Sequence, residues 1–144
     1  CNLGFTLIEL NTVVCILGLI ILLFSPKLKN TLQNYKLEAS AQELGQNIRL
    51  AQKLAITEGV RYRVLLDTDS KTRYRITKGY TAKRFDLPSG VYFDWTNFPK
   101  STLEFHPSGA PTQGGTIAIR NNNTCLHIIV SVATGRVRIS KTPP

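Results

Sequence analysis

The sequence predicts an α+β fold in which a long N-terminal helix packs on an antiparallel β-sheet head, and three observations predict it. An apolar run extends from Phe5 to Phe24, and apolar residues recur at spacings of three and four from Lys27 to Glu58. After Gly59 the period drops to two, and short alternating runs are separated by Gly, Pro, Asn and Asp clusters. The first two patterns suit helices, the third suits half-buried strands joined by tight turns.

The run from Phe5 to Phe24 has twenty residues, mostly Leu, Ile, Val and Phe. At the helical rise these span roughly 30 Å, the thickness of a bilayer core, so residues 5–26 are expected to form a single membrane span. Glu9 is the only formal charge in it. An unpaired acid in hydrocarbon is strongly unfavourable, and Glu9 therefore calls for a cationic partner. A secretory signal peptide would place a small-x-small cleavage site after the apolar run, but the sequence there is Ser25-Pro26-Lys27-Leu28. Asn11 and Thr12 make the span more polar than most.

From residue 27 to 59 the expected element is an amphipathic spine helix. Its apolar residues are Leu28, Leu32, Tyr35 and Ala39, then Leu44, Ile48, Ala51 and Leu54/Ala55. Gly59 ends it as a C-cap. Residues 60–144 then form the β-rich head. Val60–Leu66 and Arg73–Thr77 read as a hairpin around the turn-rich Asp67–Thr72 segment. Val91–Phe93, Leu103–Phe105, Thr116–Arg120, Leu126–Val130 and Val137–Ile139 follow as short strands.

A chain of 144 residues leaves about 85 for the head, enough for one small domain and not for two. Of the three cysteines, Cys1 and Cys15 precede the head and only Cys125 lies within it, so no intramolecular disulfide is expected. His106 sits in a Pro-Gly loop and His127 in an apolar strand, neither with a second ligand at metal spacing. Asp67 and Asp69 open no calcium loop, because Lys71 takes the next alternate position and no Gly-then-Glu completes the pattern. No nucleophile elbow, phosphate loop or supported pair of carboxylates occurs, and a non-enzyme without cofactor or metal is expected.

Charge is unevenly placed. The net charge is +9, and no acidic residue follows Glu104, whereas Arg120, Arg136, Arg138 and Lys141 do. From Arg61 to Arg84, eight basic residues face only Asp67 and Asp69. Such a domain suits anionic lipid, acidic proteins or nucleic acid. Arg136 and Arg138 alternate, so in a strand both leave one face roughly 6.6 Å apart, a spacing permissive for two phosphates of one backbone.

Gly4-Phe5-Thr6-Leu7-Ile8-Glu9-Leu10 resembles the class III leader and N-terminal motif of type IV pilins and type II secretion pseudopilins. The resemblance implies cleavage by a prepilin peptidase between Gly4 and Phe5, N-methylation of Phe5, and a role for Glu9 in neutralising the N-terminal amine of a neighbouring subunit during assembly. Residues 1–4 would be residual leader. The absence of Met and the start at Cys1 then predict a fragment of the precursor.

In the second half, Phe105-His106-Pro107-Ser108-Gly109, Gly114-Gly115-Thr116-Ile117-Ala118-Ile119 and Thr134-Gly135-Arg136-Val137-Arg138 are similar to the GspH/FimT branch of minor pseudopilins and minor pilins. That branch implies two small sheets in the head. It also implies a minor subunit at or near the tip of a type IV pilus or type II secretion pseudopilus. Expected partners are the prepilin peptidase, other minor and major pilins or pseudopilins, and the assembly platform of the inner membrane. The subunit would be a single-pass inner-membrane protein with an extracytoplasmic head before it enters the filament.

Gly135-Arg136-Val137-Arg138 is similar to the DNA-binding element proposed for FimT-type pilins in natural transformation. Carry-over gives Arg136 and Arg138 that role, with Lys141 and Arg120 as auxiliaries by charge alone. Arginines alternating on a solvated strand face are more often just the polar side of a half-buried strand. A structural minor subunit, a DNA-uptake subunit and a polymerising major pilin all stay open, the last disfavoured by the short head.

Overall fold

The computed structural model describes residues 6–143, and the side chains of residues 23–29 lie outside that description. The chain divides into two compact units, Cys1–Gln33 and Asn34–Pro144. Helix α1 runs over Leu7–Glu58 and supplies the α-helical residues of both, with a short 3-10 turn at Pro99–Ser101 in the second.

In the first unit Leu7, Ile8, Leu10, Val13, Val14, Ile16, Leu17 and Leu19 to Leu22 are all exposed. Apart from Glu9, Asn11 and Thr12 this exposed surface is apolar or small, and a helix surface of that kind is one that another apolar phase or partner must cover. Thr12 fits this surface because its hydroxyl donates to the Ile8 carbonyl at 2.8 Å. Among the described residues no helix is long and apolar enough to cross a membrane.

In the second unit α1 buries Leu37, Ala41, Leu44, Ile48, Ala51 and Ala55, a stripe at spacings of four and three. The expected face was right from Leu44 onward and wrong at Leu32, Tyr35 and Ala39, while the side chain of Leu28 lies outside the described residues. Leu32, Tyr35 and Ala39 are exposed, and packing begins at Leu37. Extending the Leu44–Ile48 stripe backward leads to Ala41 and Leu37, so Tyr35 and Ala39 fall on the flank. Gly59, at φ +66°, ends the helix in the left-handed conformation that glycine adopts without strain.

Eight strands follow: β1 Tyr62–Leu66, β2 Arg73–Lys78, β3 Thr81–Asp86, β4 Tyr92–Thr96, β5 Thr102–Phe105, β6 Gly115–Arg120, β7 Cys125–Val130 and β8 Val137–Ser140. They form two antiparallel sheets of order β3-β2-β1-β5 and β4-β6-β7-β8. The α+β class and the two small sheets are therefore as expected. Strand β3 was not anticipated. Only Phe85 of its six residues leaves the exposed class, so the strand carries no alternation to read.

Inner-face residues pair across strands. Val64 lies opposite Ile76 and Leu103, Tyr62 opposite Phe105, Ile117 opposite Ile128, and Ile119 opposite Leu126. Together with the α1 stripe they make one core. Tyr74 is its largest fully buried side chain, stacked on Phe85, with Asn47 donating to its hydroxyl at 2.7 Å. Burial pushes that phenol up to about 12. The Asp67–Thr72 turn closes on Asp67 Oδ1, which accepts the amides of Asp69 and Ser70.

Candidate functional site

Two sets of residues carry the sequence-derived functional readings. At the N-terminal end of α1, Gly4 and Phe5 lie outside the described residues. Glu9 is described, and its carboxylate is engaged within its own helix. Glu9 Oε2 accepts the Thr6 amide at 2.9 Å and the Thr6 hydroxyl at 2.8 Å, while the Glu9 amide donates to Thr6 Oγ1 at 3.3 Å. This reciprocal pair is a capping box: Thr6 sits at the N-cap and Glu9 three residues on. Thr6 was missed by the sequence reading, although its Thr-x-x-Glu spacing is the signal for such a cap. Glu9 thus satisfies two donors at the helix start before any cation approaches it.

The second set lies on and beside the β4-β6-β7-β8 sheet, with Arg138 in β8, Arg136 one residue before that strand, Lys141 one residue after it and Arg120 at the end of β6. Arg136 and Arg138 are exposed and line one open groove of about 550 Å³ with Ile129, Ser131 and Thr134. Arg138 lies opposite Ile129 in the register. Among the described residues neither arginine has a carboxylate at ion-pair distance.

The turn that presents them is fixed from the helix side. Gln52 Nε2 donates to the Gly109 carbonyl at 2.8 Å and the Thr134 carbonyl at 3.1 Å, and Arg49 donates to the Val137 carbonyl at 2.9 Å. Ser131 and Arg136 close the turn, through Ser131 N to Arg136 O at 3.0 Å and Gly135 N to Ser131 O at 2.8 Å.

Gly135 has no substitute in that turn. Its φ is +65°, and a Cβ there would lie 2.3 Å from Gln52 Nε2. Gly135→Ala should therefore lower stability by about 1 to 3 kcal/mol, through the left-handed backbone and the displaced Gln52. A thermal scan would register this as a midpoint lower by about 5 °C or more; an unchanged midpoint would mean that the turn relaxes freely.

Arg120 and Lys141, predicted by charge alone, do not join the pair. Arg120 turns to Asp94 at 3.7 Å on β4, and its buried Nε has no hydrogen-bond partner among the described residues. In the register it lies opposite Cys125, four residues along β7 from the Ile129–Arg138 row and two strands away, roughly 17 Å. Lys141 approaches Glu38 of α1 at 3.5 Å and shares a hollow with Gln42, Leu126 and Ile139.

The histidines are apart. His106 Nε2 lies 3.4 Å from Thr112 Oγ1, whereas His127 is buried beside Trp95 with its Nδ1 lacking a partner among the described residues. Among the described residues no group of three or more His, Cys, Asp or Glu is placed to hold a metal. Cys125 is partly buried, and burial, then the Asp94 carboxylate, raise its thiol above the usual range. It is a packed thiol rather than a nucleophile.

Comparison with known proteins supplies the remaining observations. The family model described as GspH, a type II transport protein, matches residues 40–135. Competence protein ComGD of Bacillus subtilis (strain 168) is 26% identical over 138 residues, 96% of this chain and 93% of that one. The minor pseudopilin EpsH from the type 2 secretion system of Vibrio cholerae superposes with a TM-score of 0.60 at 20% identity, covering 74% of this chain and 97% of that one. The type IV minor pilin FimU of Pseudomonas aeruginosa (strain PAO1) also superposes with a TM-score of 0.60, at 17% identity, covering 76% and 90%. At these identities the two structures report a shared fold.

Proposed function

Because the chain belongs to the GspH family, as a type IV pilin-like minor pseudopilin, we propose that it is a processed, membrane-anchored subunit built into a thin filament at or near its tip. In this reading residues 1–4 are leader, 5–26 span the membrane, 27–59 form the spine and 60–144 the extracytoplasmic head. A prepilin peptidase cuts between Gly4 and Phe5, and Phe5 is then N-methylated. The assembly platform and other pilins or pseudopilins are the partners. The family and its structural neighbours are pilin subunits, and the chain acts by assembly rather than by catalysis.

The observation that carries this proposal is the largely apolar surface of Leu7–Leu22, in which Asn11 and Thr12 are uncharged and Glu9, at the helix start, is the one formal charge. An apolar helix of this kind is a lateral packing element, and a single acid near its end suits a neighbour's terminal amine. Gly4→Ala should leave the chain at precursor mass in cells that carry the peptidase. A mature-mass product from that variant would remove Gly4 from the cleavage site.

A second reading is favoured by Arg136 and Arg138, two exposed arginines on one groove without a carboxylate partner among the described residues. A relative aligned with nearly the whole chain is a competence protein, and we infer that this subunit serves DNA uptake, with the two arginines holding phosphates.

A further inference from the structure

The β3-β2-β1-β5 sheet has an exposed face of its own, and its charges follow a pattern. Arg61, Arg63, Arg73, Arg75 and Arg84 are all exposed there. Arg61 and Arg63 share Glu104, at 3.3 and 3.0 Å, and Arg73 holds Asp86 at 2.9 Å across the strands. Between these two paired rows lies a third, in which Leu65 is opposite Arg75 and Arg75 is directly opposite Arg84. Among the described residues neither Arg75 nor Arg84 has an ion pair.

Both arginines line an open depression of about 430 Å³ with Asp67, Arg73 and Asp86. Asp67 is committed elsewhere. The Ser70 hydroxyl, then the Ser70 and Asp69 amides, hold its carboxyl below the usual range, and Arg75 adds a smaller contribution. Like charges directly opposite on one sheet face destabilise the pairing. Two adjacent guanidinium forks gain most when one carboxylate takes hydrogen bonds from both.

We infer that the Arg75–Arg84 row is a carboxylate-binding site through which this sheet face docks an acidic segment of a partner protein. The flanking carboxylates select that class of partner. A nucleic-acid backbone carries phosphates continuously, every 3.4 Å or so along a strand, and would run over Asp86, Asp67 or Glu104. A protein presents discrete carboxylates and fits one row between two occupied ones. The site lies on the other sheet from Arg136 and Arg138 and is independent of the DNA reading.

The test uses the full chain in detergent micelles at low salt, with labelled octaglutamate peptide as probe and a short DNA duplex as competitor. Arg75→Gln/Arg84→Gln should bind the peptide at least about tenfold more weakly than the unsubstituted chain, while Arg136→Gln/Arg138→Gln binds it unchanged. Arg84→Gln alone should raise the thermal midpoint without peptide, because the cross-strand repulsion is gone, and should abolish the rise that peptide gives the unsubstituted chain. Equal losses in the two double variants, or none in either, would reduce the effect to overall charge and overturn the proposal. A lowered midpoint for peptide-free Arg84→Gln would overturn it too. DNA binding that depends on Arg75 and Arg84 and displaces the peptide would reassign the row to nucleic acid.

Discussion

Replacing Glu9 by valine should leave membrane insertion and cleavage intact and remove the chain from assembled filaments. Insertion should improve, since the variant loses the one formal charge of the predicted span. Cleavage should persist, because the proposed cut lies between Gly4 and Phe5, ahead of the substituted position. The capping box, however, gives Glu9 a second task that valine also abolishes: the Thr6 amide and hydroxyl lose their acceptor. Glu9→Gln separates the two. Its side-chain carbonyl still accepts from Thr6, so the helix start is preserved while the charge is gone. If a neighbour's amine is the essential partner, Gln fails as completely as Val, and incorporation measured in sheared filament fractions is lost in both. Rescue by Gln would give the cap the decisive role. Normal incorporation of Glu9→Val would end the assembly assignment.

What the sequence made legible follows from where each signal resides. Elements with one buried face carry their own periodicity, and the β1–β2 hairpin, β5 and the Leu44–Ala55 half of the spine were readable for that reason, whereas β6 and β7, covered on both faces along most of their length, were readable as short apolar runs between turn residues. Strand β3 buries almost nothing and was not. The early spine was misphased because Leu32 and Tyr35 are apolar yet uncovered, and coverage is decided by strands far away in sequence. The candidate site shows the same division. The alternation of Arg136 and Arg138 is local, and the two do share a groove. Arg120 and Lys141 were grouped with them by sign, but their nearest carboxylates, Asp94 and Glu38, come from β4 and α1. Only the folded chain brings those acids near. The Arg75–Arg84 row, without an ion pair among the described residues, was likewise out of reach, since it depends on the register of a strand that the sequence did not reveal.

Exchanging both groove arginines for alanine should have the largest effect on DNA binding of any pair in the head. Their guanidinium groups are exposed, and the turn that carries them is held by Gln52 and Arg49, so little ordering is left to be lost when phosphate binds. Every phosphate contact contributes about −0.9 to the logarithmic salt slope on duplex DNA and about −0.7 on single strands. Removing two should flatten the slope by roughly 1.4 to 1.8 and weaken binding about tenfold or more at low salt, with the same loss on every sequence. Arg120→Ala and Lys141→Ala should move the slope much less. Each faces a carboxylate already, and a cation that keeps an internal partner releases fewer counterions from DNA. Fluorescence anisotropy over a salt series on the full chain in detergent separates the cases. A slope unchanged in Arg136→Ala/Arg138→Ala, or one flattened equally by Arg120→Ala/Lys141→Ala, would mean that the net charge of +9 attracts DNA without a site. The subunit's role would then rest on assembly alone.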